Sequence, residues 1–87
     1  MDYSQYIIKE LREGGIEIEY DGFLKNVHPT LTFFVICSIQ TNTSVDTKTI
    51  VEMPPMSEKM IMSHNCGPVL ENESDFEIVG IYLESPL

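Results

Sequence analysis

Eighty-seven residues provide for one domain, residues 1–87, and leave no room for a second. Hydrophobic residues make up 43% of the chain and charged residues 22%, ordinary globular usage that excludes wholesale disorder and fibrous repeats. Fourteen acidic against five basic side chains give a formal net charge of −9 at pH 7, which makes contact with a bare phosphate backbone unfavourable and is silent on fold.

Along the chain, Asp2 followed three positions later by Gln5 has the form of a capping box, and Tyr3, Ile7 and Leu11 recur at four-residue spacing. With Lys9 and Glu13 able to pair across one turn, this pattern predicts a short amphipathic helix ended by Gly14-Gly15. Ile16, Ile18 and Tyr20 then alternate with Glu17, Glu19 and Asp21, the period of a strand with one dry and one wet face. Asp21-Gly22 has the residues of a hairpin turn, so Phe23 to Val27 is expected to return antiparallel to Ile16 to Tyr20.

After His28-Pro29, Thr30 to Gln40 is rich in β-branched and aromatic residues. Leu31, Phe33, Val35, Cys37 and Ile39 occupy one face while Phe34 and Ile36 load the other, the pattern of a central strand covered on both sides. Thr41 to Ser44 is a polar turn, Val45 to Met53 the next strand, and Pro54-Pro55 its stop. Met56 to Ser63 suits either a helical turn capped by Ser57 or an extended segment. His64 to Ser74, with Gly67-Pro68 and a polar, acidic run, is a surface loop, and Phe76 to Leu83 is the last strand, with Gly80 marking a bulge or a close backbone approach. The fold expected is α+β: one N-terminal helix packed on a mostly antiparallel sheet of four to five strands.

Three groups of residues could carry chemistry. Glu17, Glu19 and Asp21 share strand phase, and Glu71, Glu73, Asp75 and Glu77 repeat the every-other-residue spacing. On a strand each set is a comb of carboxylates ~6.7 Å apart. Duplex DNA carries one charge per ~1.7 Å of axis, so several rows on one face would be needed to imitate it. A solvated face is the plain alternative. The second group is Met53 to Cys66, where four methionines, His64 and Cys66 gather soft ligands suited to Cu(I) or Zn, with His28 and Cys37 as further donors. Its spacing matches no standard zinc pattern, and methionines filling an irregular core edge, or next an adaptable protein-binding patch, are the readings preferred over a metal site. The third is His64 beside Cys66, which as a nucleophile–base pair lacks a group to orient the ring. No enzymatic role, cofactor or metal is expected.

Two cysteines without an apparent export signal are expected to be free thiols in a reducing compartment, so the chain is read as cytoplasmic, and no stretch approaches the ~18 apolar residues of a membrane span. The function expected is a small acidic binding protein that occupies the basic surface of a nuclease or other nucleic-acid enzyme, without itself touching nucleic acid. Inhibitors, immunity proteins, antitoxins and phage anti-restriction or anti-CRISPR proteins are short acidic chains of this general kind. The expected contact surface is Glu17, Glu19, Asp21, Glu71, Glu73, Asp75 and Glu77, with Tyr20 and Phe23 as apolar anchors. The alternatives are a homodimer or other assembly module, with the charge serving solubility, and a soft-metal carrier.

Overall fold

A two-residue hydrophobic period dominates the chain. The computed structural model describes residues 2–14, 19–41, 44–63 and 70–86 (side chains at 41 and 44–46 excepted) and carries this period as six strands. They are β1 (Ile7–Glu13), β2 (Tyr20–Asn26), β3 (Phe33–Thr41), β4 (Ser44–Met53), β5 (Ser57–Met62) and β6 (Phe76–Tyr82). All pairings are antiparallel, in two three-stranded sheets ordered β1-β2-β5 and β4-β3-β6. Ile7 and Leu24 of the first sheet and Phe33, Val35, Cys37, Ile39, Met53 and Phe76 of the second join Leu70 in one buried cluster. The chain is therefore a small β-sandwich, whose inner faces supply a single core.

This corrects the α+β expectation. No α-helix occurs among the described residues, and their helical turns are 3-10 turns at Ser4–Tyr6 and Glu73–Asp75. The expected N-terminal helix is replaced by the first of these turns and β1. Four-residue spacing of Ile7 and Leu11 is also two strand periods, so both residues fall on the core side whichever way the backbone is wound. A helix this short is marginal without a packing partner, whereas β1 gains seven register partners along β2, from Ile7 opposite Asn26 to Glu13 opposite Tyr20. The expected capping box does not form: Tyr3 is the N-cap of the turn and makes no side-chain cap bond, while the Asp2 carboxylate accepts the Ser4 amide at 2.9 Å, an Asx turn that competes with helix formation.

The expected hairpin at Asp21-Gly22 is also overturned. These residues lie inside β2, which pairs with β1 and β5 and does not fold back on itself. Gly22 is there for close approach, since a Cβ at this position would meet the Phe76 ring at 2.9 Å and Leu70 at 3.1 Å. The glycine thus admits a large aromatic of the opposite sheet against the β2 backbone.

Elsewhere the pattern is realised directly. β3 is central, with Phe33, Val35, Cys37 and Ile39 buried, and β4 returns beside it and stops before Pro54-Pro55. Phe34 and Ile36 are only half-buried on its outer face, so β3 is covered fully on one side and not on both. Met56 to Ser63 resolves as extended, forming β5 after a turn in which Met56 takes φ 54°. Opposite β3, Val79 is the extra residue of a bulge next to Gly80, and the Tyr82 ring lies over that glycine.

One buried polar side chain ties the crossings between sheets together. Asn26, 1% exposed, donates through Nδ2 to the carbonyls of Leu31 (2.9 Å), Met53 (2.9 Å) and Pro54 (3.0 Å) and accepts the His28 amide at 2.9 Å. His28 Nδ1 in turn accepts the amides of Thr30 and Leu31, and its ring meets Tyr6 edge-on at 4.6 Å between centroids. Backbone groups that leave the β-ladders at the β2–β3 and β4–β5 crossings are thereby satisfied at one end of the sandwich.

Candidate functional site

The opposite end carries acid. Gly14 donates its amide to the Glu19 carbonyl at 2.9 Å beside the β1–β2 hairpin, where Glu13 faces Tyr20 across the strands. Tyr20 donates its amide to the Leu70 carbonyl at 3.0 Å and forms an isolated antiparallel bridge with that residue. Leu70 is fully buried, so the bridge is anchored in the core, and its antiparallel sense sets Glu19 alongside Glu71.

The second comb does not have the strand geometry its spacing suggests. Asp75 Oδ2 accepts the amides of Glu71 and Asn72, both at 3.1 Å, and Asn72 completes a reciprocal capping box over the Glu73–Asp75 turn. Three backbone-competing side chains within four residues, Asn72, Ser74 and Asp75, favour this folded-back turn over a ladder. Glu73 points outward from it, half-buried Asp75 holds it closed, and exposed Glu77 alone lies on a strand, opposite Ser38 on the outer face of the second sheet.

The structure thus gathers Glu19, Tyr20, Glu71, Glu73 and Asp75 at one end, with Glu77 two residues further on. It adds Glu13, exposed at the end of β1, which sequence reasoning assigned to a helix face. Asp21 and Phe23 belong elsewhere, on the outer face of the first sheet. Asp21 stands opposite Arg12 in the register, and the Arg12 guanidinium lies 3.8 Å above the Phe23 ring, a cation–π contact that removes this ring as a free anchor. Glu17 lies outside the described residues.

One cation, Lys9, reaches that end at the Glu73 turn, and Arg12, Lys25 and Lys59 make their contacts elsewhere. Arg12 and Lys25 both pair with Glu10 and Glu58 on the outer face of the first sheet, the Lys25 contacts being 3.3 Å and 3.7 Å. Hydrogen bonds from Arg12 and then Lys25 hold the Glu10 carboxyl below its usual range, while Glu10 and then Glu58 raise the Arg12 guanidinium. Lys9 donates to the Glu73 carbonyl (3.2 Å) and Lys59 to the Glu52 carbonyl (2.6 Å), so both bridge the sheets through backbone groups. Lys48 is exposed on the outer face of β4.

The soft-donor segment is dispersed. Met53 is in the core, Met56 is exposed on its turn, and exposed Met60 lies beside Phe23 on the outer face of the first sheet. His28 Nδ1 is occupied by two backbone amides, and Cys37 is a free, buried thiol whose burial pushes its pKa up to about 11. His64 and Cys66 lie outside the described residues, among which no group of three or more His, Cys, Asp or Glu side chains is arranged to hold a metal ion. No described helix is long and apolar enough to cross a membrane. No family model, curated protein or solved structure matches the chain.

Proposed function

We propose that this chain is an acidic binding protein that occupies a basic surface of a protein partner, of the kind found on nucleic-acid enzymes, and inhibits that partner by excluding its anionic substrate. The observation that supports this reading is the Tyr20–Leu70 bridge, which joins two acidic segments fifty positions apart in the sequence at one end of the sandwich. Glu13, Glu19, Glu71 and Glu73 would steer association and compete with phosphates, and half-buried Tyr20 between them would supply apolar contact. The combs do not form parallel rows, so recognition rests on local charge density at one end and not on a copied phosphate spacing. A cytoplasmic setting fits the free, buried Cys37.

The test is calorimetric titration of the chain into purified basic nucleases, with duplex DNA as competitor. Binding is expected to weaken about tenfold or more between 50 and 200 mM salt, since several exposed charge pairs are screened together. DNA should displace the chain, and the triple variant E19Q/E71Q/E73Q should lose most of the affinity. Affinity indifferent to salt, or unchanged in that variant, would remove the proposal.

A further inference from the structure

Four strands form the sheet edges: β1 and β5 in the first sheet, β4 and β6 in the second. Three of them carry an inward-pointing charge or a bulge, both of which discourage pairing with another chain. β1 places Lys9, and β5 places Lys59, on the face shared with buried Leu24, so each presents a charge on the inward side. β5 also bulges at Ile61, and β6 at Val79. β4 differs. It is the longest strand, ten residues, and its register with β3 is unbroken from Thr47 to Met53, the irregularity being confined to the hairpin end. Its inward positions over that stretch are Thr47, Thr49, Val51 and Met53, with no charge among them.

The outward positions of β4 are self-complementary. Lys48 and Glu52 lie symmetrically about Ile50, so an antiparallel copy centred there would set Ile50 against the partner's Ile50 and Lys48 against the partner's Glu52, twice over. Backbone parity agrees. The Glu52 carbonyl, which already accepts Lys59 at 2.6 Å and keeps one lone pair for a strand partner, lies on the side of β4 away from β3, so Glu52 directs its backbone groups away from β3. Ile50 and Lys48 share that parity and offer N–H and C=O to the open edge. A central pair that exchanges both hydrogen bonds is therefore available at Ile50.

We propose that β4 pairs edge to edge with β4 of a second copy of this chain about a two-fold axis at Ile50, joining two sheets into one of six strands. The contact is isologous, closes on itself and uses none of the acidic end.

Sedimentation of the full chain across the micromolar range, near physiological salt where the Debye length is ~8 Å, tests this. The wild type is expected to dimerise. K48E and E52K each turn two symmetry-related attractive pairs into repulsive ones, and each should weaken dimerisation about tenfold or more. The double variant K48E/E52K restores complementarity and should dimerise like the wild type. Hydrogen exchange adds a local readout: the amides of Lys48, Ile50 and Glu52 should gain protection with concentration while those of Thr49 and Val51 do not. A wild type that stays monomeric, a double variant as weak as the singles, or a dimer insensitive to E52K would each overturn the proposal, the last pointing to a different register or face.

Discussion

Asn26→Asp isolates the contribution of the buried amide, because the substitution keeps shape and exchanges only the Nδ2 donor for an oxygen. Nδ2 serves three carbonyl oxygens at 2.9–3.0 Å. The amide has two hydrogens to share among them, so at about 1 kcal/mol net for each hydrogen bond their loss costs roughly 2 kcal/mol, and an ionised carboxylate facing three carbonyls in a 1% exposed site costs more. A domain of this length has roughly 4–13 kcal/mol of stability in all, so the loss is a large part of the total. The new carboxyl escapes by holding a proton, which raises its folded pKa above the unfolded value of about 3.9 and leaves it one O–H to donate. A raised folded pKa means that the variant keeps its stability below about pH 4. It loses about 1.4 kcal/mol per pH unit between the two pKa values as pH rises. Urea unfolding followed by far-ultraviolet circular dichroism at pH 4, 5.5 and 7 measures this, with Asn26→Ala as the variant whose deficit stays level with pH. An Asn26→Asp protein within about 1 kcal/mol of the wild type at pH 7, or a deficit that does not widen from pH 4 to 7, would refute the assigned role.

The two described strand glycines should respond to alanine in opposite ways. Gly22→Ala drives a methyl into the fully buried Phe76 ring and should destabilise by about 1–3 kcal/mol in the same assay. At Gly80 the obstacle is the outer part of the exposed Tyr82 ring, which can swing away, so Gly80→Ala should be neutral or stabilise by up to about 1 kcal/mol. For Cys37, burial lifts the thiol from 9.0 to about 11, so the unfolded chain ionises first as pH rises and stability falls between those values, at no more than about 1.4 kcal/mol per unit. Cys37→Ala should abolish that alkaline component of the pH–stability profile, and native Cys37 should resist iodoacetamide until denaturant is added.

What could be read from the sequence follows from how many residues specified each feature. β3 carries alternating Phe33, Val35, Cys37 and Ile39 uninterrupted, and β4 ends at two prolines, so both were legible in position and partner. β1 was not, because Tyr3, Ile7 and Leu11 satisfy both periodicities and its pairing with β2 is a tertiary fact. Asp21-Gly22 misled for a related reason: turn chemistry and close approach both select glycine, and only the Phe76 ring distinguishes them. At the acidic end, the meeting of residues near 20 and 71 depends on Leu70 entering the core, a contact no local pattern encodes. The symmetric placement of Lys48 and Glu52 about Ile50 was visible throughout, but gains meaning only once β4 is known to be an edge.

The acidic end and the open edge are compatible through the direction in which β4 runs. Its hairpin start lies at the acidic end, since Phe76, which packs under Gly22, pairs with Ile39 near the close of β3, and its last residue Met53 lies at the Asn26 end. Antiparallel pairing about Ile50 therefore sends the two acidic ends to opposite extremes of the dimer. Two chains of −9 each would resist any association that brought those ends together, by repulsion that grows as salt falls. Separating them leaves Lys48 and Glu52 flanking the axis, where each has an opposite partner. The same arrangement leaves both acidic ends open to solvent, so a dimer would present two equivalent surfaces to basic partners, and binding at one would not obstruct the other.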